Sequence, residues 1–132
     1  MREFKFRAWC KYKSHETFKY GMHYGIIDWD FEHDFNQIGH MLQHPEGWEI
    51  MQYTGRKDKN NKEIYEGDVV FLHFGDKKDF ENNLYVCSWD NSDCCFTFVN
   101  LFDTDDQQML DTSSKFIEVK GNIYENSGLG GK

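Results

Sequence analysis

The sequence predicts a mainly β protein, a small antiparallel barrel with one short helix near residues 31–43. Three observations carry that expectation. Several short runs alternate apolar and polar residues, the period-two mark of strands with one buried face. Strand-like runs recur about every 10–15 residues with polar turns between them, as in small antiparallel barrels and sandwiches. The 132 residues include 12 Phe, 7 Tyr and 4 Trp but a single Pro. Aromatic rings fit a half-buried pleated surface.

Taken in order, Phe4, Phe6 and Ala8 alternate with Lys5, Arg7 and Trp9, which predicts a first strand with one buried face. Cys10 to His15 is polar and reads as a turn. Phe18 to Tyr20 and Met22 to Ile27 have strand character, interrupted by Gly21 and Gly25. The period then changes. Phe31, Phe35, Ile38 and Leu42 are spaced as one helix face, with Asp30 placed to cap it and Pro45 and Gly47 to stop it. Trp48 to Tyr53 returns to strand.

Residues 51–74 are the most informative stretch. Met51 to Thr54 leads through Gly55 into the polar run Arg56 to Lys62, too polar to be buried. Asn60-Asn61 is a turn signal, because Asn tolerates the left-handed conformation of tight hairpins. Ile64-Tyr65 forms a short strand. Glu66-Gly67-Asp68 turns the chain into the long apolar strand Val69 to Phe74. That turn-and-strand pattern is typical of SH3-like barrels. Beyond a polar loop, Leu84–Trp89 and Cys95–Leu101 read as a hairpin turned by Asp90 to Asp93. Phe71, Phe74, Trp89, Phe96 and Phe98 are core candidates. Trp9, Tyr12, Tyr20 and Tyr24 are candidates for an exposed patch. Asp103 to Ser114 reads as a loop or one weak helical turn around Met109-Leu110. Phe116 to Val119 is a last strand before Gly121 bends the chain.

The formal net charge is −8, which argues against wholesale binding of nucleic acid or anionic membrane. The charge is uneven. Residues 21–50 hold six acids and no Lys or Arg, whereas residues 56–62 hold four basic residues and one acid. No run approaches the ~20 apolar residues of a membrane span, and the N-terminus has no apolar signal core. Cys10, Cys87, Cys94 and Cys95 show no metal or redox spacing. A cytoplasmic protein with reduced thiols is expected.

Three segments resemble the YopX family, small proteins found mostly in bacteriophages and prophages. They are Lys5 to Trp9 (KFRAW), Met51 to Val70 (MQYTGRKDKNNKEIYEGDVV), and Ile117-Glu118-Val119 followed by Gly121 to Asn126 (GNIYEN). Three departures stand out. Asn61 occupies a position where Gly is common. Arg56 occupies one that is often apolar. Asn126-Ser127-Gly128-Leu129 replaces the usual Asn-Pro-Glu-Leu-Leu. The resemblance implies a mostly β fold and a phage or prophage origin, hence a bacterial host cell; the length predicts a single domain, residues 1–126, with a flexible glycine-rich tail at 127–132. The resemblance brings no established activity, cofactor or catalytic residues.

Candidate chemistry is sparse. His40 and His44 have metal-ligand spacing, but without the Glu of His-Glu-x-x-His they read better as histidines beside Pro45. Glu66 and Asp68 flank a turn glycine, where carboxylates ordinarily satisfy backbone donors. The runs Asp28-Asp30-Glu32-Asp34 and Asp103-Asp105-Asp106 lack the Gly and terminal Glu of a calcium loop. Tyr53-Thr54-Gly55-Arg56-Lys57 is not a P-loop. The remaining candidate is a basic hairpin tip, Arg56, Lys57, Lys59 and Lys62, with Tyr53 and Tyr65 at its base to stack on bases. The favoured expectation is therefore a non-enzymatic binding module, without cofactor or metal, that contacts a host or phage protein or nucleic acid through this tip. The alternative is an acidic nucleic-acid mimic that inhibits a host DNA-binding protein.

Overall fold

The structure is a computed structural model and describes residues 4–26, 37–73, 83–103, 105–109 and 113–125. Among these residues the strands and the α-helix follow in order: β1 (Phe6–Cys10), β2 (Gly21–Tyr24), α1 (Gln37–Gln43), β3 (Trp48–Lys57), β4 (Glu63–Tyr65), β5 (Asp68–Leu72), β6 (Leu84–Asp90), β7 (Cys95–Asn100), β8 (Gln107–Met109) and β9 (Ile117–Asn122). The protein is mainly β with one short helix among the described residues. The chain divides into two compact units, Met1–Tyr53 and Thr54–Lys132.

In the first unit the strand order is β2-β1-β3. Both pairings are antiparallel, with Arg7 opposite Tyr24 and Met51. A central strand has a neighbour on each edge. Here Arg7, Ala8, Trp9 and Cys10 are also all buried, so the expectation of one buried face is corrected. Arg7 is only 2% exposed, and its guanidinium lies 6.0 Å from the centre of the Tyr24 ring. The core gathers Ala8, Cys10, Met41 and Trp48, with Tyr12, Phe18, Ile26 and Ile50 against it. Of the expected patch, Tyr20 and Tyr24 are exposed and Trp9 is buried.

Helix α1 begins at Gln37, and the expected start near 31, with Phe31, Phe35 and the acidic run 28–34, lies outside the described residues. The predicted face also shifts. Met41 is buried and Leu42 is 67% exposed. Ile38 and Met41, three residues apart, share a helix face. Gly47 is buried where no Cβ fits: one would lie 2.1–2.3 Å from the Tyr12 ring. Phe18 to Tyr20 forms no strand, and only Gly21–Tyr24 pairs with β1.

In the second unit the end of β3 pairs with β4, and a five-stranded antiparallel sheet runs β8-β7-β6-β5-β9. The expected β6–β7 hairpin is present, with Asp90 Oδ1 accepting the Ser92 N–H at 2.9 Å inside its turn. The core is Ile64, Val70, Leu72, Tyr85, Cys87, Phe96, Phe98 and Ile117. Phe71 is half-buried, Trp89 is exposed beside Phe96, and Phe74 lies outside the described residues. Residues 107–109, expected as loop or helical turn, form the edge strand β8 against Thr97–Val99. A short, polar strand suits an edge. Phe116 closes a single 3-10 turn (Ser114–Phe116) before β9. The β5–β9 register slips by one residue, with Gly121 opposite Val69 and Val119 opposite Val70. The bend expected at Gly121 is thus a bulge within β9. The expected tail, 127–132, lies outside the described residues.

Candidate functional site

The tip is a hairpin built around one carboxylate. Its entrance is set by Thr54, whose hydroxyl donates to the Ile64 carbonyl at 2.8 Å and accepts the Arg56 N–H at 3.2 Å. Asp58 follows and is only 5% exposed. Its Oδ1 accepts the Asn60 N–H at 2.8 Å and the Lys62 N–H at 2.9 Å. Its Oδ2 accepts the Val119 N–H at 2.8 Å. The Asp58 N–H donates to the Lys62 carbonyl and the Lys59 N–H to the Ile117 carbonyl. One short side chain therefore closes the turn and ties it to β9. Asn61 has φ 66, the left-handed conformation that the turn requires and Asn tolerates.

The cations radiate from this frame. Lys57, Lys59 and Lys62 are exposed. Arg56 is half-buried, and its Nη2 donates to Ser114 Oγ at 3.0 Å. Three further groups join from the β9 side. Lys115 and Lys120 are exposed. Glu118 hydrogen-bonds His73 at 2.9 Å and pairs with Lys120 at 3.2 Å. Those two contacts, in that order, hold its carboxyl below the usual range, with Lys59 adding to the effect.

The two tyrosines are placed differently from the expectation. Tyr65 and Tyr53 are each only 4% exposed, so neither ring is open for stacking on a base. Tyr65 sits in β4, its hydroxyl donating to Glu63 at 3.2 Å. Tyr53 closes the first unit, with the Lys5 ammonium 5.4 Å from its ring centre. Both rings are buried, Tyr53 beside the buried Thr54 in β3 and Tyr65 beside the buried Ile64 in β4. The structure thus brings Arg56, Lys57, Lys59 and Lys62 together, and Lys115 and Lys120 are the residues that sequence reasoning missed. The Ile117–Val119 segment was visible as a motif, but its contact with Asp58 spans 61 residues.

The other candidates have structural partners. Asp68 Oδ2 accepts the Tyr65 N–H at 2.8 Å, and Gly67, at φ 90, donates its N–H to Cys87. Asp106 accepts hydrogen bonds from the Tyr85 hydroxyl at 2.6 Å and from the Gln108 amide at 3.0 Å. His40 and His44 lie with ring centres 4.5 Å apart, and His44 Nδ1 meets Glu46 at 3.0 Å. Among the described residues, no group of three or more His, Cys, Asp or Glu side chains is arranged to hold a metal ion. No helix among them is long and apolar enough to cross a membrane.

A family model described as YopX protein matches residues 5–129, nearly the whole chain. The chain belongs to the YopX family. The Asp58 turn and its β9 partner both fall inside the YopX match. A solved structure, protein EF1440 from Enterococcus faecalis, is similar in fold with a TM-score of 0.57 and 20% identity, over 98% of this chain and 99% of that one. No curated protein matches this YopX chain.

Proposed function

We propose that this YopX protein is a non-enzymatic, phage- or prophage-encoded accessory module that binds a polyanionic macromolecule, nucleic acid, through the basic tip. One observation carries the reading. In a chain of net charge −8, the exposed Lys57, Lys59 and Lys62, with the half-buried Arg56 beside them, stand on a turn whose backbone Asp58 already fixes. Lys115 in the 3-10 turn and Lys120 in β9, the latter paired with Glu118, are also exposed. Lysines on a pre-ordered backbone lose less entropy on binding than lysines on a floppy loop. With Tyr53 and Tyr65 buried, contact is to phosphates and not to stacked bases, so it is sequence-independent. The acidic-mimic alternative has less support: Asp103 and Asp106 are occupied within their own loop and sheet.

The test is fluorescence anisotropy with labelled single- and double-stranded DNA at several salt concentrations. Binding should weaken with salt, and Lys57→Ala, Lys59→Ala and Lys62→Ala together should reduce the log–log salt slope by roughly 2–3. A full-length protein that binds neither DNA form at low salt, or a triple variant with an unchanged slope, overturns the reading.

A further inference from the structure

We propose that the first unit carries a stacking platform for single-stranded nucleic acid, formed by the exposed rings of Tyr20 and Tyr24 at the β2 edge of its sheet. It is separate from the basic tip, which belongs to the second unit, and neither reading rests on the other.

Register puts both rings on one face. Residues directly opposite in an antiparallel pair share a face. Arg7 stands opposite Tyr24, Trp9 opposite Met22, and Ala8 opposite His23. Ala8 and Cys10 pack with Met41 of α1. Tyr24 therefore stands on the face away from α1. Tyr20 joins it there, because its ring meets Trp9 edge-on at 5.2 Å and 72°. Among the described residues β2 is an edge strand. Each tyrosine is backed by a buried side chain. Arg7, 2% exposed, holds its guanidinium 6.0 Å from the Tyr24 ring centre, and Trp9 backs Tyr20. The tyrosines themselves meet solvent: Tyr20 is 45% and Tyr24 58% exposed.

Charge and spacing narrow the guest. Residues 4–26 hold five Lys or Arg and one acid, Glu16, in a chain of net charge −8. Each exposed ring has a cation beside it, since Lys13 Nζ lies 5.9 Å from the Tyr20 ring centre and Arg7 is next to Tyr24. That arrangement repels a cationic guest and suits an anionic one. Four residues separate the tyrosines, at most about 13 Å along an extended chain, which is too far for one ring system to cover both. A guest that uses both presents flat rings at intervals with anions between them. A single strand of DNA or RNA does so, whereas a duplex hides its base faces within the stack. Bases stack on exposed aromatic side chains with little regard to sequence, and neighbouring cations strengthen the contact.

The experiment uses the full chain carrying Lys57→Ala, Lys59→Ala and Lys62→Ala, so that the tip does not contribute. The probe is a mixed-sequence single-stranded DNA dodecamer containing 2-aminopurine, whose fluorescence falls when the base stacks on an aromatic ring. The protein should quench it saturably, and an unlabelled duplex of the same sequence should compete about tenfold less well or worse. Removing a ring removes the stacking of one base, so Tyr20→Leu and Tyr24→Leu should each weaken binding about fivefold or more. Tyr20→Phe and Tyr24→Phe keep the rings and should bind within about threefold of the parent. Absence of quenching at millimolar protein overturns the proposal and leaves the face to a protein partner. So does a duplex that competes as well as the single strand, or unchanged affinity in Tyr20→Leu and Tyr24→Leu proteins that retain the native circular dichroism spectrum. Salt-dependent binding by the parent protein without quenching refutes the platform and spares the tip. Quenching with a salt slope that the three lysine changes do not alter refutes the tip and spares the platform.

Discussion

Asp58→Ala should cost about 4 kcal/mol of folding stability, far more than its place in a polar turn suggests. The sum follows from three acceptor contacts. The Val119 N–H is only partly exposed, and leaving such a donor unpaired costs about 1–3 kcal/mol. The Asn60 and Lys62 N–H groups belong to exposed residues and regain water, so each loses only about 0.5–1.5 kcal/mol. The range is about 2–6 kcal/mol, a large share of the ~5–15 kcal/mol that ordinarily separates folded from unfolded states. Urea unfolding measures it directly. With an m-value of about 2 kcal/mol/M, the midpoint should fall by roughly 2 M. Asp58→Asn keeps one acceptor oxygen and should fall between the two. A loss under about 1 kcal/mol for Asp58→Ala, or Asp58→Asn no different from the parent, would refute the idea that this carboxylate organises the tip.

Three other outcomes follow from the same reasoning. Asn61 holds φ 66, so Asn61→Gly should be neutral within about 0.5 kcal/mol, while the β-branched Asn61→Val should cost about 1–2 kcal/mol; denaturant midpoints compare the two. Gly47→Ala forces the Tyr12 ring to move and should lower stability by about 1–3 kcal/mol, read as a drop in melting temperature with a change in near-ultraviolet circular dichroism. Burial, then the neighbouring His44, holds His40 below its ordinary value of 6.5, with Glu46 opposing and His15 adding to the lowering. The folded state then binds fewer protons than the unfolded chain. This contribution is complete above pH 6.5 and declines as pH falls through 6.5 towards the lowered folded value. Melting temperature should therefore drop across that window, and His40→Gln should flatten the drop; an identical profile in the variant would remove His40 as its source.

The parts legible in the sequence are those decided by neighbours along the chain. Asn60-Asn61, Glu66-Gly67-Asp68 and Asp90 to Asp93 mark turns because their conformations and side-chain hydrogen bonds are local. The YopX motifs added the order of the strands' signatures. What stayed hidden depends on distant partners. Nothing near Asp58 announces Val119. Arg7 alternates like a surface residue, yet it lies opposite Tyr24 and Met51 in a central strand. Strand β8 has too few apolar residues to show a period, and pairing with β7 creates it. Tyr53 and Tyr65 looked available because the tip between them is polar, but both rings are buried by packing that the local sequence does not show. Trp48 read only as the start of a strand, and its buried, unpaired N–H is a property of packing alone.

The Asp58 clamp also bears on how the chain meets proteases. Lys57, Lys59 and Lys62 are the side chains after which trypsin cuts, and they stand on an exposed turn of the kind usually nicked first. Cleavage requires the backbone to leave its own hydrogen bonds for those of the enzyme. Here the Asp58, Asn60 and Lys62 amides are committed within the turn and the Lys59 amide to Ile117. Where opening is fast, the rate of cutting reports how often the turn separates from β9. The most tryptic-looking segment of this chain is thus guarded by its own geometry.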